Sequence, residues 1–246
     1  MKNTLKYLLS SAAILATLST GGIGAFAAEY PDAQTAITEG HVTFEKDTDP
    51  TKPVDPVDPE IPVDPVDPEI PNPNPGELAI TYASKFDFGV HKADGSKTVA
   101  YAKADTVKDG EGTREIVPFV STKDARGTDR EGWSLTVKQN GEFKDTNNNV
   151  LTGAEITLSG INYANVAGAP TATATDVVIN QAAQEISSAN KETGIGNWSV
   201  ALGQLSGNEG EQVTKGVTLT VPSTTAKNAD KYSTTLTWEL AADPTK

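Results

Sequence analysis

Gly132-Trp133-Ser134-Leu135-Thr136-Val137-Lys138-Gln139 puts Trp133, Leu135 and Val137 on one parity and Ser134, Thr136 and Lys138 on the other. Successive side chains of an extended chain point to opposite faces, so this period of two predicts a β-strand with one apolar and one polar face. Near the end of the chain Tyr232, Thr234, Leu236, Trp238 and Leu240 alternate in the same way with Ser233, Thr235, Thr237 and Glu239. Trp198, Val200 and Leu202 repeat the pattern with Val in place of the first Leu. All three tryptophans therefore face the same kind of surface.

Working outward, similar runs rich in Thr, Val and Ile occur at 78–83, 98–102, 114–120, 154–159, 174–180 and 212–221, with Gly, Asn, Asp and Pro between them. About nine short strands with no helical periodicity predict an all-β domain over residues 77–246. The expected architecture is an antiparallel, immunoglobulin-like β-sandwich.

The first 27 residues predict a secretory signal peptide, with Lys2 and Lys6, an apolar run from Tyr7 to Leu18, and a cut after Ala25-Phe26-Ala27. The run is short for a membrane span, so no membrane insertion is expected after cleavage. Cysteine is absent, which leaves no disulfide and no site for a lipid-modified cysteine. Residues 241–246 carry neither an LPxTG-type motif nor an apolar tail, so free secretion or non-covalent retention is expected.

Removing the signal peptide leaves 18 basic and 33 acidic residues, a formal charge of −15. Nucleic acid is excluded as an expected partner by that charge. The excess is concentrated in an N-terminal arm (28–49) and a proline-rich linker (50–76), which together hold 12 acids and 2 lysines. From Pro50 to Pro71 a proline falls at every third position, and Val-Asp-Pro-Val-Asp-Pro-Glu-Ile-Pro occurs twice, at 54–62 and 63–71. A period of three matches polyproline II, predicting a disordered or semi-rigid spacer of about 80 Å at ~3.1 Å per residue. In the arm, Gly40-His41-Val42-Thr43-Phe44-Glu45 alternates like a strand that could pair back onto the domain's edge.

Both Trp-x-Leu sites have further context: Asp124-Ala125-Arg126-Gly127 before Trp133, and Tyr232 and Leu236 before Trp238. With Val42-Thr43-Phe44, the Asp-Pro tract, Phe86-Asp87-Phe88-Gly89, Leu151 to Ile156 and Val221-Pro222, the chain resembles the WxL-domain surface proteins of Gram-positive bacteria over nearly its whole length. That resemblance implies a cell-surface location and non-covalent attachment to the cell wall through peptidoglycan. It also implies partner surface proteins in a multicomponent complex. The alternatives are an adhesin or assembly subunit that binds host matrix or partner surface proteins, and a wall-active hydrolase.

The residues name candidates and their ordinary uses together. Trp133, Leu135, Trp198, Tyr232, Trp238 and Leu240 can stack on the apolar face of a sugar or fill a core, and their parity with Leu and Val favours the core. Arg126, with Asp124, can hold a partner's carboxylate or brace the Gly127 turn. Asp145-Thr146-Asn147-Asn148-Asn149 opens like a calcium loop but has Val150 where Gly is wanted and Ile156 where Glu is wanted, so a polar hairpin turn and no metal are expected. The only histidines are His41 and His91, and no GxSxG, HExxH or phosphate-binding glycine loop occurs. A non-enzymatic protein without a cofactor is expected, with a glycosidase-like carboxylate pair left open.

Overall fold

A computed structural model describes residues 28–66, 72–110 and 112–242. The signal-peptide reading therefore lies outside the described residues, as do 67–71 of the proline tract and the last four residues. The chain divides into two compact units, Met1–Glu45 and Lys46–Lys246. In the first, β1 (Glu29–Asp32) and β2 (Thr35–Ile37) form an exposed antiparallel hairpin. The strand expected at 40–45 is not formed: Val42 and Phe44 alternate correctly but are 73% and 88% exposed. Alternation marks which residues could share a face; it does not supply the partner strand that makes the ladder.

The second unit continues with β3 (Asp64–Pro65), β4 (Leu78–Ala83), β5 (Thr98–Lys103), β6 (Asp105–Asp109), β7 (Gly112–Ile116), β8 (Phe119–Asp124) and β9 (Gly132–Gln139). It is completed by β10 (Glu155–Leu158), β11 (Ile161–Asn162), β12 (Thr171–Ala172), β13 (Val177–Ile179), β14 (Gln184–Asn190), β15 (Gly196–Leu202), β16 (Leu205–Ser206), β17 (Val213–Val221) and β18 (Leu236–Ala242). One 3-10 turn lies at Gly127–Asp129. The all-β antiparallel class is as expected.

The immunoglobulin-like two-sheet plan is not what the pairing gives. Strands order as β11-β15-β8-β4, as β12-β14-β9-β18, and as β13-β10-β17 with β5 and β16 also on β17; a small sheet runs β3-β6-β7. The first two sheets approach at both edges, β4 beside β18 and β11 beside β12, while β13 lies against β14 and β9, and β17 against β15. One apolar core joins all three: Val120 and Val200 from the β4 sheet, Trp133, Leu135 and Ile186 from the β18 sheet, and Ile156, Val217 and Leu219 from the β17 sheet.

The run read as one strand over 114–120 is two, because Pro118 has no N–H to donate and the chain changes sheet there. β14 escaped the sequence reading. A bulge between Glu185 and Ser187 shifts parity, so the buried Ile186 and Ala189 reach the same core although they stand three residues apart.

Residues 50–66 overturn the spacer reading. Asp55 accepts from the main chain of Val57 and donates its own N–H to Ile61 O, and Val63 N–H reaches Pro53 O, so the first nonamer closes into a turn. Val54 and Val63 are buried, and Val63 packs with Tyr82, Val107, Ile116 and Phe119 in a second core. Burial of such a side chain stabilises by roughly 1.5–3 kcal/mol. Together with the preceding Lys46 to Asp49, the tract covers the outer face of the β4 sheet: Ser199 donates to Val54 O at 2.5 Å, Thr51 to Asn197 at 3.3 Å, and the buried Lys123 to Asp49 O at 2.8 Å and Asp47 at 2.9 Å. With Val120 in the main core on the other face, every residue of β8 is buried.

Candidate functional site

The two Trp-x-Leu stretches lie side by side. β9 and β18 pair antiparallel with Leu135 opposite Leu240, Trp238 opposite Val137, and Ala242 opposite Trp133. The two indoles therefore sit at diagonal ends of one apolar patch facing the core. Trp133 is 0% exposed, and its Nε1 reaches toward Gly194 O at 3.5 Å. Gly194 makes room for it, since a Cβ there would lie 3.0 Å from the indole and 2.6 Å from Ala189 Cβ, while a Cβ on Gly132 (φ +121) would collide with Ala189 O of the paired strand β14.

Trp198 is buried in the β4 sheet, donates to Ile195 O at 2.8 Å, and meets Tyr163 edge to face. Tyr163 in turn donates to Ser187 at 2.9 Å, and burial pushes its hydroxyl well above the usual range. Trp238, Leu240 and Tyr232 are half-buried against the same core, Trp238 with its ring edge-on to Phe86 and Tyr232 accepting the Asn228 N–H at 2.8 Å. Tryptophan nitrogens engaged by main-chain carbonyls, on rings packed into the core, leave Trp133 and Leu135 no face for a sugar. These two hold the fold.

Asp124 and Arg126 form a brace. The guanidinium donates Nε to Asp124 Oδ1 at 2.9 Å and Nη2 to Oδ2 at 2.8 Å, and Nη2 also reaches Gly132 O at 2.7 Å. Asp124 is buried. A fork satisfied by its neighbour and by the main chain ahead of Trp133 fixes the entry to β9.

Asp145 closes the polar turn expected at 145–149. Burial works to raise its pKa, but hydrogen bonds from Asn228, from the Asn149 side chain and main chain, and from Asn147 N–H outweigh it and hold the carboxyl at about 2. Asn148 adopts the left-handed conformation that Asn tolerates (φ 65). With its oxygens taken by amides, this carboxylate is a structural staple between the 145–149 turn and the approach to β18.

The surface that sequence reasoning missed is the outer face of the β17 sheet. Register places Tyr101, Thr218, Thr157 and Val178 in one row across β5, β17, β10 and β13, with Val99, Thr220 and Glu155 in the next. Directly paired residues share a face, and all of these are half-buried or exposed. At ~4.8 Å between strands the first row spans about 14 Å. Lys215 lies over the Tyr101 ring at 5.8 Å. Thr218 Oγ1 donates to Lys215 O at 2.9 Å and keeps its lone pairs for a ligand's hydroxyls, so the row offers a polyhydroxylated ligand acceptors beside a ring and an ammonium. Isolated threonines on strands carry no signal until register lines them up.

Among the described residues no helix is long and apolar enough to cross a membrane, and no cluster of three His, Cys, Asp or Glu residues could hold a metal. Comparison with curated proteins and with solved structures returned no match. The model of the WxL domain, a surface cell wall-binding domain, matches residues 31–244. That match covers most of the chain, both Trp-x-Leu strands and the proline tract included. The chain belongs to the WxL family of surface cell wall-binding domains.

Proposed function

We propose that the mature chain is a secreted, non-enzymatic surface protein held on the cell wall without covalent linkage, through peptidoglycan, and that it meets the wall with the open face of the β17 sheet. The match to a surface cell wall-binding domain over residues 31–244 carries the reading. The row Tyr101, Thr218, Thr157 and Val178 supports the choice of face, since it combines a ring, hydroxyls and an apolar end on one face of the sheet. In this reading the signal peptide is removed after Ala27 and no cofactor is used. Partner surface proteins would dock along free strand edges such as that of β5.

The test is sedimentation of the mature chain with protein-free walls stripped of attached polymers, beside an unrelated folded β-protein. Residues 46–66 must be kept, because they fold with the domain. Specific pelleting with stripped walls and no release of soluble muropeptides is expected. Protein left in the supernatant would overturn peptidoglycan attachment, and muropeptide release would overturn the non-enzymatic reading.

A further inference from the structure

Gln139, at the end of β9, is 7% exposed and donates Nε2 to Gly141 O at 2.6 Å. Its Oε1 has no donor, yet the only sealed side-chain polar atoms without a partner among the described residues are Thr81 Oγ1 and Ser121 Oγ. The amide oxygen therefore opens onto space. Gln139 also lines a cleft of about 220 Å³ where the end of β9 meets β10 and β13, together with Glu142, Glu155, Val178, Asn180 and Gln181 among others.

Hydrogen bonds within the protein hold one wall of the cleft. Asn180 O accepts the Gln139 N–H at 2.8 Å and Asn180 Oδ1 accepts the Ala182 N–H at 2.8 Å, which ties β9 to the end of β13. Neither Glu142 nor Glu155 has an ion pair among the described residues, and no Lys, Arg or His lines the cleft. Two uncompensated carboxylates and a fixed amide oxygen form an acceptor-rich pocket with one apolar wall at Val178. The matching group is a donor-only cation on a short aliphatic stem. An ammonium has three donors and no acceptor. A bare metal ion fits less well, because the acidic groups here fall short of the three that would hold one.

We propose that this cleft binds a primary ammonium group, and that its natural source is a free amine on a peptide of the wall. The second half rests on the wall-binding reading above; the first does not. Glu155 and Val178 also belong to the open face of the β17 sheet, so an amine held here leaves the chain that carries it lying along the threonine row.

Two arms test the two halves. In the first, the mature chain is titrated with Nα-acetyl-lysine amide and with its Nε-acetylated form, following amide resonances by NMR. The free amine is expected to shift Gln139, Asn180 and Gln181, the acetylated form is not, and E142Q/E155Q with an unchanged melting temperature should bind the amine at least fivefold more weakly. Equal response to both probes, or unchanged affinity in the variant, would overturn the site. In the second, walls are used before and after chemical acetylation of their amines. At least fivefold weaker sedimentation on acetylated walls is expected of the wild type, with little further change in the variant. Amine binding in solution with no loss on acetylated walls would overturn the wall peptide as its source. Amine binding with no sedimentation on either wall would sink the wall reading while leaving the cleft standing.

Discussion

Two sheet faces in this molecule look alike in sequence and have opposite fates. The outer face of the β4 sheet presents Ser121, Ser199, Asn197 and Lys123, and the outer face of the β17 sheet presents Thr157, Thr218, Thr220 and Lys215. Both are the polar side of an alternating strand. The first is sealed under residues 46–66, so its Ser121 hydroxyl is buried without a partner and its Lys123 is held by Asp47. The second stays open to solvent. A polar face is therefore no guide to which side of a sheet is available; what the rest of the chain lays over it decides.

Removing the cover should have the greatest consequence for the two faces. A chain beginning at Asn72 loses Val54 and Val63 and bares Tyr82, Val107, Ile116 and Phe119, and should lose on the order of 5 kcal/mol by urea unfolding, a large share of a typical domain's stability. A free spacer would be removed at no cost.

A finer cut uses the repeat itself. Val54-Asp55-Pro56 and Val57-Asp58-Pro59 are the same triplet in succession, yet Val54 is 6% exposed and Val57 is 77% exposed. Val54→Ala should destabilise by about 2 kcal/mol from lost burial, while Val57→Ala should stay within about 0.5 kcal/mol, both read by thermal or urea melts. Equal effects would return the tract to a spacer.

The smallest effect is electrostatic. The Asp47 carboxyl is held below the usual carboxylate range, chiefly by its hydrogen bond from Lys123, and Asp145 is held at about 2. Groups depressed in the folded state stabilise it above their unfolded pKa and cease to as pH falls through the folded value. Stability should decline from about pH 4 toward pH 2. Asp47→Asn and Asp145→Asn should each flatten that decline, and an unchanged slope would count against both contacts.

How much of this the sequence disclosed follows from the range of each interaction. The bounds of β9 were read correctly because alternation is local, and the tryptophans' parity with Leu and Val pointed to the core where Trp133 lies. Asp124 and Arg126 were legible as a brace for the same reason: the partners are two residues apart. The pairing of the two Trp-x-Leu strands, the threonine row and the cleft at Gln139 are products of register between distant segments, and no local pattern encodes register. The proline tract misled because period three describes its backbone and says nothing about whether Val54 finds a bed.

In the proposed attachment the open face of the β17 sheet, and not the covered face of the β4 sheet, meets the wall. The most direct measurement is stripped-wall sedimentation of a Tyr101→Ala/Thr157→Arg variant whose melting temperature matches the wild type. At least a tenfold loss of wall affinity is expected. Wild-type affinity in that folded variant would contradict it and move the contact to another surface.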